Sequence, residues 1–124
     1  MPSTDILIIG HEHWRSAEQI VIAAQPHYRW VLARSLAEAV LYLRAGGLPR
    51  LLVIDLKIGA AAVDAFLAEL HADPTWHWLP VLLLGTGEEA MHAAAQPGAV
   101  HFLARWVEAE TLRAVLADCL VPTA

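Results

Sequence analysis

The chain has 124 residues, enough for one domain with a real core and too few for two of ordinary size, so a single domain over 1–124 is expected. Eight Lys and Arg against thirteen Asp and Glu leave a net charge of -5, which opposes the phosphate neutralisation behind direct nucleic-acid binding. A hydrophobic share of 57% argues against disorder, no apolar run approaches the roughly 20 residues of a membrane span, and Met1-Pro2-Ser3-Thr4-Asp5 has no signal-peptide pattern, so a soluble cytoplasmic domain is expected.

The first apolar run predicts a strand over Ile6 to Ile9 that exits into Gly10-His11-Glu12-His13. A helix from about Trp14 to Ala24 follows, with Trp14 placed to staple it to the sheet, and then a strand from Tyr28 to Leu32 in which Trp30 alternates like a strand residue. Leu36, Ala39, Val40 and Leu43 repeat at i, i+3, i+4, i+7, and Ser35 with Glu38 has capping-box spacing, so a helix begins just after Ser35. Gly46-Gly47 and Pro49 end it. Leu51 to Ile54 is a continuous aliphatic run, as expected of a central strand buried on both faces, and Asp55 stands at its exit.

Val63, Phe66, Leu67 and Leu70 predict the next helix. Trp76 and Trp78 fall in the loop before the strand Val81 to Leu84 and are expected to be hard to bury. Thr86 with Glu89 again has capping-box spacing, which predicts a helix over about Gly87 to Ala95. A last strand, Val100 to Leu103, precedes a helix with the stripe Leu112, Val115, Leu116 and Cys119. Cys119 is the single cysteine; it cannot form an internal disulfide, and its place in the stripe reads as a small buried hydrophobe.

Strands alternating with helices predict an α/β fold: a doubly wound, five-stranded parallel sheet of order 2-1-3-4-5, a flavodoxin-like three-layer sandwich. In that order the carboxyl edge gathers Gly10 to His13, Asp55 to Gly59, Gly85 to Gly87 and Ala104 to Trp106. Open sheets of this kind place their chemistry there, which makes Asp55 the leading candidate.

Leu51-Leu52-Val53-Ile54-Asp55-Leu56, the later His71-Ala72-Asp73-Pro74, the entry Leu79-Pro80-Val81-Leu82-Leu83-Leu84 and the final Gly98-Ala99-Val100-His101-Phe102-Leu103 together resemble the receiver domain of two-component response regulators. The resemblance covers nearly the whole chain. It implies a signalling module and not an enzyme, with Asp55 as phosphoacceptor for a histidine-kinase partner, Phe102 at an aromatic switch position, and magnesium held by acids after the first strand. Here those acidic positions read Gly10 and His11. Glycine supplies no side chain and imidazole suits magnesium poorly, which leaves Glu12 and Asp55 as the metal ligands if magnesium binds.

The hydroxyl position after the fourth strand aligns with Gly85, next to Thr86. The lysine position aligns with Arg105 and the following proline with Trp106. Arg105 keeps the charge and could pair directly with Asp55. Lys57-Ile58-Gly59-Ala60 departs from the usual turn after the phosphoacceptor, with Lys57 expected in solvent. These departures predict a pseudo-receiver, with magnesium-dependent phosphorylation impaired or absent and no resident cofactor. It would act by protein contacts, including a homodimer through the fourth helix, fifth strand and fifth helix around Phe102 and Trp106. The alternative is a functional phospho-receiver in which Glu12, Thr86 and Arg105 substitute.

Two other chemistries fit the sequence less well. His11-Glu12-His13 offers zinc-type ligands, but no further cluster with useful spacing completes a site. A flavin or nucleotide needs a phosphate loop after the first strand; His11-Glu12-His13-Trp14-Arg15 is bulky, and Gly85-Thr86-Gly87 is too short to specify one.

Overall fold

The structure, a computed structural model, describes residues 4–10, 20, 28–86, 100–104 and 108–120. Within them run β1 (Ile6–Ile9), β2 (Trp30–Ala33), α1 (Leu36–Arg44), β3 (Leu51–Asp55), a 3-10 turn (Leu56–Ile58), α2 (Ala60–Ala72), β4 (Val81–Gly85), β5 (Val100–Ala104) and α3 (Ala109–Cys119). The five strands form one parallel sheet in the order β2-β1-β3-β4-β5. This is the order expected from the sequence. The helices predicted over about 14–24 and 87–95 lie outside the described residues, save for Ile20, which is helical and buried.

Side-chain alternation divides the core into two layers. Leu7, Ile9, Leu52, Ile54, Val81 and Leu83 meet α1 and α2 on one face, while Ile6, Ile8, Leu51, Val53, Leu82 and Leu84 meet Ile20 and α3 on the other. The predicted stripes face the core: Val63, Phe66, Leu67 and Leu70 on α2 are buried, and on α3 Leu112 and Leu116 are buried while Val115 and Cys119, the latter expected to be buried, are half-buried at its margin. All of β1, β3 and β4 is buried, as a sheet covered on both faces requires.

The ends of α1 follow from named residues. Ser35 Oγ accepts from the Glu38 backbone N–H at 3.1 Å, half of a capping box; the Glu38 carboxylate reaches past Ser35 and accepts from the Arg34 N–H at 3.2 Å. At the other end Gly46 takes φ +99°. The N–H groups of Gly46 and Gly47 bond the carbonyls of Leu43 and Tyr42, a Schellman closure that a side chain at position 46 would strain.

The second strand begins two residues later than expected, at Trp30. Arg29 is occupied before it: its N–H donates to Asp5 Oδ2 at 2.9 Å and its carbonyl accepts from the N–H groups of Asp5 and Ile6. Pairing in register starts at Ile6 with Trp30. Trp76 corrects a second expectation. It is half-buried against the α1/α2 layer, because Asp73 Oδ1 accepts from the Thr75 N–H at 2.8 Å and folds the segment back. Trp78 stays 51% exposed, as expected.

Candidate functional site

Asp55 is the last residue of β3 and only 2% exposed, the one buried charged residue among those described. It pairs in register with Leu84 of β4. On its other side β1 and β3 are aligned through Ile9 with Ile54, and one further step along that register puts Gly10 beside Asp55. Gly10 is buried and held to β2 by its N–H, which donates to the Ala33 carbonyl at 3.0 Å. Gly85 ends β4 one step beyond Leu84, so Gly10, Asp55 and Gly85 meet at the carboxyl edge. Thr86 follows and is exposed.

The buried carboxylate has a structural task. Asp55 Oδ1 accepts from the Lys57 backbone N–H at 2.9 Å and so caps the 3-10 turn that leaves the strand. Leu56 is buried beneath it, Lys57 is exposed as predicted, and Gly59 closes the turn at φ +132° before α2 begins. The nearest atom to a Cβ built on Gly59 is 4.0 Å away, the Ala62 Cβ; glycine is required there by its backbone angle and not by space. The Asp55 to Lys57 contact is an Asx turn, legible in the sequence as an acid at the end of an apolar run with its partner amide two residues on.

Among the other candidates, Phe102 pairs in register with Leu83 on the edge strand β5 and is 41% exposed. His11, Glu12, Arg105 and Trp106 lie outside the described residues, and with them the expected Asp55 to Arg105 pair and the His11-Glu12-His13 cluster. Among the described residues no group of three or more His, Cys, Asp or Glu is placed to hold a metal ion, and no helix is long and apolar enough to cross a membrane.

Cys119 is half-buried on α3, where burial first and the neighbouring Asp118 carboxylate second push its thiol pKa up. It lines a cavity of about 330 Å³ together with Leu82, Phe102, Leu103, Val115 and Asp118. Arg50, just before β3, ties the end of α3 to the residue before β1: its Nη2 donates to the Leu120 carbonyl at 2.5 Å, and its Nη1 lies 3.5 Å from Asp5 Oδ1.

No protein-family model matches the chain, and no curated protein matches it in sequence. Solved structures do. The signal receiver domain of a signal transduction histidine kinase from Syntrophus aciditrophicus superimposes with a TM-score of 0.76 at 19% identity, over 95% of this chain and 90% of that one. A putative response regulator from Chloroflexus aurantiacus gives 0.77 at 19%, over 97% and 100%. The chemotaxis response regulator CheY4 of Vibrio cholerae gives 0.77 at 15%, over 96% and 100%. The likeness is one of fold: the chain shares the flavodoxin-like architecture of these receiver domains along almost its whole length.

Proposed function

We propose that the chain is a receiver-like signalling domain that works through protein contacts, with magnesium-dependent phosphorylation of Asp55 by a histidine kinase impaired or absent. The observation that carries this reading is that Gly10, one step past the Ile9–Ile54 pair, offers no side chain next to Asp55. Phosphoryl transfer to a carboxylate brings like charges together, and magnesium offsets that repulsion when several oxygens hold it. Of the residues described at this edge, Asp55 is the one that offers a carboxylate, and its Oδ1 already caps a turn. A single carboxylate is a poor fit to a hard dication.

The partner surface in this reading comprises the fourth predicted helix, the fifth strand and the last helix, taking a signalling protein, a histidine kinase or a second copy of the chain. Phe102, 41% exposed on the edge strand, supports it: exposed aromatics are common interface anchors. Titration with magnesium and beryllofluoride, followed by tryptophan fluorescence and amide shifts, tests the phosphorylation half. No saturable change is expected. Tight, saturable changes abolished by Asp55→Asn would overturn the proposal in favour of a working phospho-receiver using Glu12, Thr86 and Arg105.

A further inference from the structure

The outer face of α1 has a symmetry of its own. Ala39 and Leu43 are buried in the core, and Leu36, Val40 and Tyr42 pack at its margin. The opposite arc, Ala37, Glu38, Leu41, Arg44 and the capping Ala45, is exposed. Leu41 is 68% exposed and stands at the centre of this arc. With about 100° of turn per residue, Ala37 and Ala45 lie about 40° to either side of it, and Glu38 and Arg44 about 60°. The arc is therefore symmetric about Leu41 in position and small-residue content, and opposite in charge.

We infer that this face of α1 docks a second copy of the chain, as a two-fold dimer with the axis through Leu41. When two such helices lie antiparallel, a residue n places before position 41 meets the residue n places after it on the other copy. Leu41 then meets Leu41, Ala37 meets Ala45, and Glu38 meets Arg44 at both ends. The alanines let the helices approach towards the short end of the usual axial separation of about 8–10 Å. Glu38 and Arg44 cannot serve each other within one copy, because six residues separate them by roughly 9 Å along the axis. Arg44 has no ion pair among the described residues, and Glu38 Oε2 accepts from the Arg34 N–H, which leaves Oε1 for a guanidinium of the other copy. An acid in the first turn and a base in the last also suit the helix dipole, but the dipole asks nothing of an exposed leucine midway between them. Two nine-residue helices cover less than the roughly 1,200 Å² of a stable complex, so the dimer is a transient one. The face points away from the sheet and is separate from Asp55 and from the β5 and α3 surface, so the inference does not rest on the signalling reading.

The test is sedimentation equilibrium of the full chain over a concentration series reaching about 1 mM, at a salt concentration of about 0.15 M that screens the repulsion between two net-negative copies. A dimer with a Kd on the order of 100 µM is expected. Leu41→Glu sets two like charges on the axis and is expected to weaken dimerisation at least about tenfold, with the melting temperature almost unchanged because position 41 is exposed. Glu38→Arg alone, or Arg44→Glu alone, puts like charges together at both ends and is expected to weaken it several-fold. An equimolar mixture of these two variants is expected to regain the wild-type strength, since every contact between positions 38 and 44 again joins opposite charges. Both variants stay net negative, so general attraction does not explain a recovery. The inference is overturned by a wild type that stays monomeric throughout the series, by dimerisation that survives Leu41→Glu, which would place the contact on another surface, or by charge variants that show no recovery on mixing, which would leave Glu38 and Arg44 with the helix-dipole role alone.

Discussion

Asp55 and Lys57 are joined by a 2.9 Å hydrogen bond from the lysine backbone N–H to the aspartate Oδ1, so the acid at the functional edge also shapes the chain that leaves it. Removing an acceptor of this kind costs about 1 kcal/mol, within a range of roughly 0.5–2. Asp55→Ala is therefore expected to lower the melting temperature by about 3–5 °C in a domain of this size. Asp55→Asn keeps an acceptor oxygen and is expected to fall by less than half as much. Equal losses in the two variants, measured by thermal melts at neutral pH, would show that the carboxylate charge matters and the cap does not.

The same edge predicts a gain of function. Gly10→Asp places a second carboxylate one step past the Ile9–Ile54 pair, level with Asp55, and like charges facing each other across neighbouring strands are destabilising. The variant is expected to melt below the wild type in a chelating buffer and to recover when magnesium is added. A ligand at ten times its Kd stabilises by about 1.4 kcal/mol. The wild type is expected to show no such response. A variant indifferent to magnesium would remove Gly10 as the reason for weak metal binding.

Much of this was readable in the sequence because burial on two faces writes a distinctive text. Leu51 to Ile54 and Val81 to Leu84 are uninterrupted aliphatic runs, and the structure extends each by one residue, to Asp55 and Gly85. The stripes of α2 and α3 were equally direct. What escaped were features made by polar atoms acting at a distance along the chain. Arg29 is held out of β2 by Asp5, 24 residues away, and no local pattern announces that. Trp76 is folded inward by the Asp73 turn. The residues with most bearing on the alternative site reading, His11, Glu12 and Arg105, lie outside the described residues.

Cys119 gives a pH dependence with a definite sign. Its folded pKa is raised above the usual thiol value, by burial first and by Asp118 second. The unfolded chain therefore loses the thiol proton first as pH rises. The contribution to stability is fully present below the ordinary thiol pKa and is lost as pH rises through that value towards the folded one. Alkylation by iodoacetamide near pH 8 is expected to be slower than for a free cysteine, and Asp118→Asn is expected to speed it, since removing the nearby charge lowers the pKa. A rate equal to that of a free thiol, or no effect of Asp118→Asn, would contradict this assignment.

The last prediction separates interface from core on the β5 and α3 face. Phe102 is 41% exposed on the edge strand, whereas Leu116, on the helix that packs behind it, is fully buried. Truncating Leu116 leaves a cavity and is expected to cost about 2–5 kcal/mol of stability. Phe102→Ala removes a ring that is already 41% exposed, so the folded state is expected to lose less. If that ring anchors a partner or a second copy, the loss appears instead in association, at about 5- to 30-fold for an anchor worth 1–2 kcal/mol. Trp106→Ala is expected to behave as Phe102→Ala does. Sedimentation with a thermal melt of each variant distinguishes the cases: weaker association at an almost unchanged melting temperature supports the proposed surface, while unchanged association or a fall as large as that of Leu116→Ala removes the residue from the interface.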